Sequence, residues 1–261
     1  MGQTYEIPVA GEVPEDEQAL LGATVSSSAR TSTVLHGIVD QSALQGVLDR
    51  VTALGLEILE DAPDVAAGHD WNGKRMLEVG PKYGIHTRWI DEHLRPVFLA
   101  FSDFEQDRDL HRTWEEGLVA PHAWVYGDLR RAEELRQHGP FDLVFFLGVL
   151  YHSAFHLELL GMLNRLTRPG GEMLLETTID PRPDSAVRVR GQRGTGKAKM
   201  VPTFDALRIE LAWTGWRDVT AFTDYRPDSD EVLLLCRKTD DLPDDADVAE
   251  VVRPQRGPAG V

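Results

Sequence analysis

The segment RMLEVGPKYGIHT, residues 75–87, joins a short apolar strand to a glycine turn and the start of a helix. Apolar residues surround Glu78, and glycines follow at positions 80 and 84. Glycines in such a turn let the backbone approach a ligand closely, and the next helix offers free N–H groups. Lys82, followed by Tyr83, stands where a further glycine is common in nucleotide-binding turns. By itself the segment fits either a cofactor loop or an ordinary turn.

From residue 74 onward, short apolar strands alternate with helical segments. The predicted strands are 75–79, 97–101, 123–126, 141–147 and 172–178, and the predicted helices lie near 85–95, 105–116, 130–138 and 155–167. Strands joined by helical crossovers predict an α/β fold with a doubly wound, Rossmann-like parallel sheet. Two further strands, 217–223 and 231–237, are separated only by a turn and predict an antiparallel terminal hairpin. The total is seven strands.

The remaining segments define the domain organisation. Apolar residues at three- and four-residue steps in 41–60 predict an amphipathic helix. We therefore expect residues 1–70 to form a helical segment that acts as a lid or in homodimerisation, and 71–239 to form the main domain. Within it, 181–202 is rich in Pro, Gly and basic residues and predicts a long loop. Residues 240–261 predict a disordered acidic tail.

Charge and cysteine usage limit the partners and the compartment. The 261-residue chain has a formal net charge of −16 and a pI near 4.9, so we expect it to repel phosphate backbones and to have no nucleic acid partner. The single cysteine, Cys236, excludes a disulfide framework and lies in an apolar run, which predicts a buried side chain. No signal peptide is evident, and the longest apolar run is too short to span a bilayer. We expect a cytoplasmic protein without a membrane partner.

Two carboxylates follow the second and third predicted strands. Ligands of an open α/β sheet bind beyond the carboxyl ends of its strands. Asp103 comes nineteen residues after Gly84, where a carboxylate can accept the hydroxyls of a ribose, and Asp128 can accept from an adenine amino group. Either aspartate alone could be a helix N-cap or a solvated turn residue. Together with the glycine turn, they indicate a nucleoside site.

The residues around the end of the fourth strand, taken with two other segments, resemble those of a known protein family. The strings LEVGPKYG, GPFDLVFFLGVLYH and RLTRPGGEMLLET resemble class I S-adenosylmethionine-dependent methyltransferases over residues 70–240. The resemblance is strongest to the subgroup whose first motif is Gly-x-x-x-Gly and whose fourth strand ends in Leu-Tyr-His. That subgroup includes the tRNA-uridine carboxymethyltransferases and many small-molecule methyltransferases.

The resemblance implies that S-adenosylmethionine is the cofactor, and it assigns residues to each part of that molecule. Glu78, Gly80 and Gly84 would form the loop beneath the methionine moiety. Asp103 would bind the ribose, and Asp128 and Leu129 would bind the adenine. Leu147 and Gly148 would make the remaining contacts with the methionine part. Lys82 departs from the glycine of many relatives, and its ammonium could pair with the cofactor carboxylate. Tyr83 is expected to pack over the loop.

The resemblance places the acceptor near Tyr151 and His152. Histidine titrates near neutrality, so His152 is a candidate general base for a hydroxyl acceptor, or a structural residue at the start of the next helix. Glu176 ends the fifth strand and, with Asp180, could orient the acceptor or help to hold Mg²⁺. His152 and His156 have a spacing that can bind zinc, but a third ligand is not evident, and we expect no metal site of this kind.

These observations predict a methyltransferase that acts on a hydroxyl of a small molecule, such as a sugar, glycoside or secondary metabolite. N-methyl or carboxymethyl transfer at the same site is the nearest alternative. A nucleoside-binding protein without catalytic activity is an alternative from another class. The basic residues of 181–202 fit either a lid over an anionic or sugar-rich acceptor or a solvated loop.

Overall fold

The computed structural model describes residues 4–10, 24–28, 32–38, 68–129, 134–191, 199–222, 230–239 and 252–255. The chain divides into two compact units, Met1–Gly68 and His69–Val261.

The described residues of the first unit form a three-stranded antiparallel sheet. Its strands are β1 (Thr4–Ala10), β2 (Thr24–Ser28) and β3 (Ser32–Ile38), with β3 in the centre. These strands differ from the helical segment expected for residues 1–70. The residues that form them are rich in Thr, Val, Ile and Ser and lack an apolar period of 3.6. The predicted helix at 41–60 lies outside the described residues.

The second unit contains a mixed sheet with helical crossovers. Its elements are β4 (Arg75–Val79), α1 (Ile85–Trp89) with a π-helical turn (Ile90–Leu94), β5 (Phe98–Asp103), α2 (Arg108–Glu115), β6 (His122–Tyr126), α3 (Leu135–His138), β7 (Phe141–Leu147), α4 (His156–Leu166), β8 (Thr167–Thr178), β9 (Val187–Arg190), β10 (Lys199–Pro202), α5 (Phe204–Trp213), β11 (Trp216–Phe222), β12 (Glu231–Lys238) and β13 (Val252–Gln255). The sheet order is β13-β11-β12-β8-β7-β4-β5-β6.

The seven predicted strands and the terminal hairpin are confirmed. Strands β4 to β8 run parallel, β12 is antiparallel to β8, and β11 is antiparallel to β12. An eighth strand, β13, pairs in parallel with β11, so the hairpin does not form the edge of the sheet. This short strand falls within the segment predicted to be a disordered tail, and its sequence VRPQ gives little sign of it because strand propensity is weak there.

The core consists of the central strands and the helices that cover both faces. Strands β4 and β7 are buried along nearly their whole length, as parallel strands covered by helices on both faces are. Trp216 is fully buried and its indole N–H donates to the carbonyl of Leu160, 3.0 Å away. Cys236 is buried as predicted, and burial raises the pKa of its thiol.

Residues 181–202 do not form only a loop. Strands β9 and β10 pair as an antiparallel hairpin, with Lys199 opposite Arg190 and Pro202 opposite Val187. The alternating sequence VRVR carries the two-residue period of a strand, which the neighbouring Pro, Gly and basic residues conceal. The hairpin leads into α5, whose N-cap Thr203 accepts a hydrogen bond from the backbone N–H of Ala206.

None of the helices in the described part of the chain is long and apolar enough to cross a membrane.

Candidate cofactor and acceptor site

A cavity of about 610 Å³ opens at the carboxyl ends of the parallel strands, next to the point where the strand order reverses between β4 and β7. This is where ligands bind on open α/β sheets, and the volume is that of a small-molecule site. Nine of the predicted site residues line it: Gly80, Lys82, Asp103, Asp128, Leu129, Leu147, Gly148, Tyr151 and His152. Glu78, Tyr83, Gly84 and Glu176 lie outside its wall.

The glycine turn after β4 has three residues in the left-handed conformation. Gly80 and Gly84 have φ of 71° and 70°, and Lys82 has φ of 44°. A Cβ on Gly80 would lie 2.8 Å from a methyl of Val149, and one on Gly84 would lie 2.4 Å from the Trp114 ring. Close packing therefore requires glycine at both positions. Because Lys82 also has a positive φ, glycine would suit the middle of this turn as well.

The backbone of Lys82 is fixed by two hydrogen bonds. Its N–H donates to Oδ2 of Asp103 at 3.3 Å, and its carbonyl accepts from the indole of Trp114 at 3.1 Å. Its ammonium lies 5.2 Å from the centre of the Tyr83 ring, within cation–π range. The lysine is thus accommodated without loss of the turn, and the residue lines the cavity.

Glu78 has a role in joining elements. Its carboxylate is buried and accepts a hydrogen bond of 2.6 Å from the hydroxyl of Thr87, which lies on α1. The bond ties the end of β4 to the helix that follows the glycine turn. Glu78 therefore supports the loop from below.

Asp103 ends β5 with its carboxylate held in place. Oδ1 accepts from the backbone N–H of Phe104 at 2.8 Å, and Oδ2 lies 3.1 Å from Nε2 of His111. The residues Gly127, Asp128 and Leu129 after β6 line the same side of the cavity. The two aspartates and the glycine turn thus line one cavity. A nucleoside with an attached amino acid fits these acceptors, because hydroxyl and amino groups can donate to carboxylates.

The opposite side of the cavity is formed by the residues that follow β7. Tyr151 and His152 lie in a 3₁₀ turn, Leu150–His152, with their ring centres 4.4 Å apart. A Cβ placed on Gly148 would lie 3.5 Å from Oε2 of Glu176 and 3.7 Å from the Tyr151 hydroxyl. The Glu176 carboxylate and the Tyr151 hydroxyl therefore lie on the same side of Gly148, and of these two residues only Tyr151 lines the cavity.

Asp180 is engaged by arginines. Arg182 donates to both its oxygens, at 2.8 and 2.6 Å, and Arg190 lies 3.3 Å away. The hydrogen bonds from Arg182 hold the pKa of Asp180 well below its usual range.

His156 pairs with Glu210 and not with His152: its Nδ1 lies 3.1 Å from the Glu210 carboxylate. Among the described residues, no group of three or more His, Cys, Asp or Glu side chains could hold a metal ion.

The structure also reveals a site residue that the sequence analysis missed. His111 lies in the middle of α2 and contacts Asp103 from behind. Nothing in the sequence marks it, because its partners lie at the ends of two strands that the fold brings together. The same helix carries Trp114, which braces the glycine turn.

Comparison with known proteins identifies the domain. Residues 53–221 match a family model described as a methyltransferase domain. The chain belongs to this methyltransferase family. Residues 4–60 match a second model, described only as a domain of unknown function.

Curated relatives of this methyltransferase are named tRNA U34 carboxymethyltransferase. The protein from Shewanella putrefaciens is 31% identical over 70% of this chain and 50% of its own length, and that from Actinobacillus succinogenes is 34% identical over 68% and 50%. The chain thus spans about half the length of the curated relatives it matches.

Solved structures agree on the fold. An S-adenosylmethionine-dependent methyltransferase from Mesorhizobium loti has a TM-score of 0.53 at 19% identity, covering 68% of this chain and 97% of its own. The 1,6-didemethyltoxoflavin-N1-methyltransferase of Burkholderia thailandensis, solved with S-adenosylhomocysteine, has a TM-score of 0.52 at 18% identity, covering 69% and 78%. The fold is that of the S-adenosylmethionine-dependent methyltransferases.

The prediction that the protein has no nucleic acid partner is wrong, because relatives above 30% identity are named as enzymes that modify tRNA. The expectation relied on the net charge of the methyltransferase. That charge is a sum over the whole chain, and six acidic residues lie within 240–250 alone. A total of this kind does not describe the potential at one face of the molecule.

Proposed function

We propose that this methyltransferase transfers the methyl group of S-adenosylmethionine to a hydroxyl of a small, ring-sized acceptor, with His152 as the general base. Asp103 would bind the ribose, Asp128 and Leu129 the adenine, and the glycine turn the methionine end. The observation that carries the proposal is the position of Tyr151 and His152 in the cavity wall next to Gly148.

The residues of the chain supply position and proton transfer. S-adenosylmethionine provides an activated methyl group on a sulfonium, so the protein needs to align the acceptor oxygen and remove its proton. An imidazole nitrogen of His152 would take that proton. Tyr151, which lines the cavity, would orient the acceptor through its hydroxyl, and the Glu176 carboxylate, on the same side of Gly148, would support that hydroxyl.

The cavity size supports a compact reacting group. About 610 Å³ must hold both the cofactor and the part of the acceptor that reacts. That volume is in the range of ordinary small-molecule sites, so a single ring can enter beside the cofactor. A sugar, a glycoside or the ring of a secondary metabolite fits this description.

The test is methyl transfer from isotopically labelled S-adenosylmethionine to a panel of hydroxylated metabolites. On an acceptor that turns over, His152→Ala should lower kcat by about 10²–10⁴-fold, the usual contribution of a general base. Affinity for S-adenosylhomocysteine should stay within about threefold, because the imidazole acts on the acceptor. His93→Ala is the matched control, since His93 is exposed and does not line the cavity. Undiminished turnover in His152→Ala would remove the base assignment.

Carboxymethyl transfer to tRNA uridine is the alternative at the same site, and it is the reaction for which the curated relatives are named. It would use the same cavity with a sulfonium donor that carries a carboxymethyl group. The same assay with unmodified tRNA, and with each donor in turn, separates the two. Transfer of a carboxymethyl group to RNA, with no methyl transfer to the metabolite panel, would replace the first proposal by the second.

A further inference from the structure

A buried hydrogen-bond chain lies behind Asp103. His111 is fully buried; its Nε2 lies 3.1 Å from Oδ2 of Asp103 and its Nδ1 lies 3.2 Å from the hydroxyl of Tyr126. Asp103 and Tyr126 are paired residues at the ends of β5 and β6. The imidazole therefore connects the ends of two neighbouring strands at the edge where the cavity opens.

Packing fixes the plane of the His111 ring. The ring stacks on Trp124, with centres 4.2 Å apart and planes 14° apart, and it lies nearly parallel to the Tyr126 ring at 5.7 Å. The Trp114 ring lies 5.7 Å away on another side, in a T-shaped arrangement with His111. A ring held in this way presents its two nitrogens in fixed directions.

The hydrogen-bond partners determine which nitrogen carries the proton in the neutral ring. A carboxylate only accepts, so Nε2 must donate to Asp103, and Nδ1 then accepts from the Tyr126 hydroxyl. Burial, with the negative charge of Glu115 adding to it, raises the pKa of Tyr126 to about 12, so this hydroxyl keeps its proton at neutral pH. The Tyr126 hydroxyl thus stabilises the tautomer of His111 in which Nε2 carries the proton and donates to Asp103.

The carboxylate of Asp103 is nearly saturated by the protein. The backbone N–H of Phe104 donates to Oδ1, while His111 and the backbone N–H of Lys82 approach Oδ2. A carboxylate has about four acceptor positions, so these three donors leave about one for a ligand. Because the donors come from three directions, they also set the direction in which that position points.

We propose that His111 is a positioning residue for the cofactor. It holds the Asp103 carboxylate in the orientation that accepts a ribose hydroxyl, and Tyr126 keeps it in the tautomer that does so. The inference rests on the assignment of Asp103 to the ribose in the proposed function.

The test compares two ligands by calorimetry: S-adenosylhomocysteine, and its analogue without the 2′ and 3′ hydroxyls. The intact protein should bind the first at least about tenfold more tightly, as expected for a hydrogen bond to a charged group. His111→Phe keeps the stacked ring and loses both nitrogens. It should weaken binding of S-adenosylhomocysteine about tenfold and of the analogue by less than about threefold.

The conservative variant His111→Gln places an amide donor near the position of Nε2 and should recover most of the preference for the ribose hydroxyls. Tyr126→Phe, which removes only the hydroxyl, should give the same ligand-dependent pattern with a smaller loss, and it serves as the test if His111→Phe does not fold. An equal loss for both ligands in these variants would overturn the inference and leave His111 a packing residue.

A second result would overturn the inference in a different way. If the intact protein does not distinguish the two ligands, Asp103 does not bind the ribose and His111 has no ribose contact to position. Methyl transfer to the acceptor panel is measured separately. This binding result therefore does not bear on the identity of the acceptor or on the role of His152, which the transfer assay tests.

Discussion

At the scale of single residues, Lys82 offers a direct test of how the amino-acid end of the cofactor is bound. Lys82→Ala removes the ammonium but keeps a Cβ in the left-handed turn and both backbone hydrogen bonds. If the ammonium pairs with the cofactor carboxylate, the affinity for S-adenosylhomocysteine should fall about two- to fivefold, the scale of an exposed ion pair. Adenosine, which has no carboxylate, should bind as before, and calorimetry with both ligands checks this.

The left-handed backbone makes Lys82→Gly the matched variant. Glycine adopts φ of 44° without steric cost, although it adds entropy to the unfolded chain. Both variants should therefore weaken S-adenosylhomocysteine binding alike, since both lack the ammonium. A loss in Lys82→Ala that Lys82→Gly does not share would point to the backbone of the turn instead of the charge.

A second residue-scale prediction concerns the buried bond from Thr87 to Glu78. Thr87→Val keeps the shape of the side chain and removes the donor from a buried carboxylate. The free energy of unfolding should fall by roughly 1–3 kcal/mol, the cost of an unmet hydrogen bond. Thr87→Ser keeps the hydroxyl and loses one methyl, so its cost should be nearer ~0.8 kcal/mol. Urea denaturation of the three proteins measures the difference, and a larger loss for Ser than for Val would contradict the account.

At the scale of elements, the hairpin of β9 and β10 is held to the end of β8 by ion pairs. Arg182 and Arg190 both contact the buried carboxylate of Asp180, and Arg190 also contacts Asp230 at 2.9 Å. This arrangement uses basic residues that the sequence could equally assign to an acceptor-binding lid. Their pairing with carboxylates shows that part of the positive charge serves to anchor the hairpin.

The lowered pKa of Asp180 gives that anchor a defined pH dependence. A carboxylate whose folded pKa lies below its unfolded value of about 3.9 adds stability above that pH, and the contribution is lost as pH falls through the folded value. Asp180→Asn should therefore lower Tm by a constant amount above about pH 5, and the gap to the unchanged protein should shrink below about pH 4. Thermal unfolding across pH 3–7 tests this; a gap that widens on acidification would contradict it.

Elements also differ in how well the sequence predicts them. Strands β4 and β7 have the predicted bounds, because a strand buried on both faces is a short apolar run between clear breaks. The hairpin of β9 and β10 is half exposed and its alternation is short, so Gly and Pro residues dominate its local signal. Helix α2 is easily predicted as a helix, yet the contacts of His111 depend on two strand ends that only the folded sheet brings together.

At the scale of the whole molecule, the reactivity of the Cys236 thiol measures how readily the sheet opens. Its thiol is fully buried on β12, opposite Met173 of β8, and burial raises its pKa. Both effects suppress the thiolate that reacts with thiol reagents. In the native protein labelling should be slower than in denaturant by roughly three orders of magnitude or more, because exposure requires opening of a core strand. Rapid native labelling would show that this side of the sheet opens locally.

The division of the chain into two units leads to the last prediction. The residues that line the cavity all lie between Val79 and Leu159, within the unit His69–Val261. A chain that starts at residue 69 should therefore bind S-adenosylhomocysteine within about threefold of the full chain. It retains Trp71, which is buried and whose indole N–H donates to Glu172 at 2.8 Å.

A chain that starts at residue 73 is the matched control, since it loses Trp71 and with it a large buried side chain. Deleting such a side chain costs about 3–5 kcal/mol, so this shorter chain should unfold at lower denaturant than the one that starts at residue 69. If the longer truncated chain folds but binds the ligand more than about tenfold more weakly, the first 68 residues contribute to the cofactor site. If binding holds and only turnover falls, those residues act on the acceptor, which is the role expected of a lid.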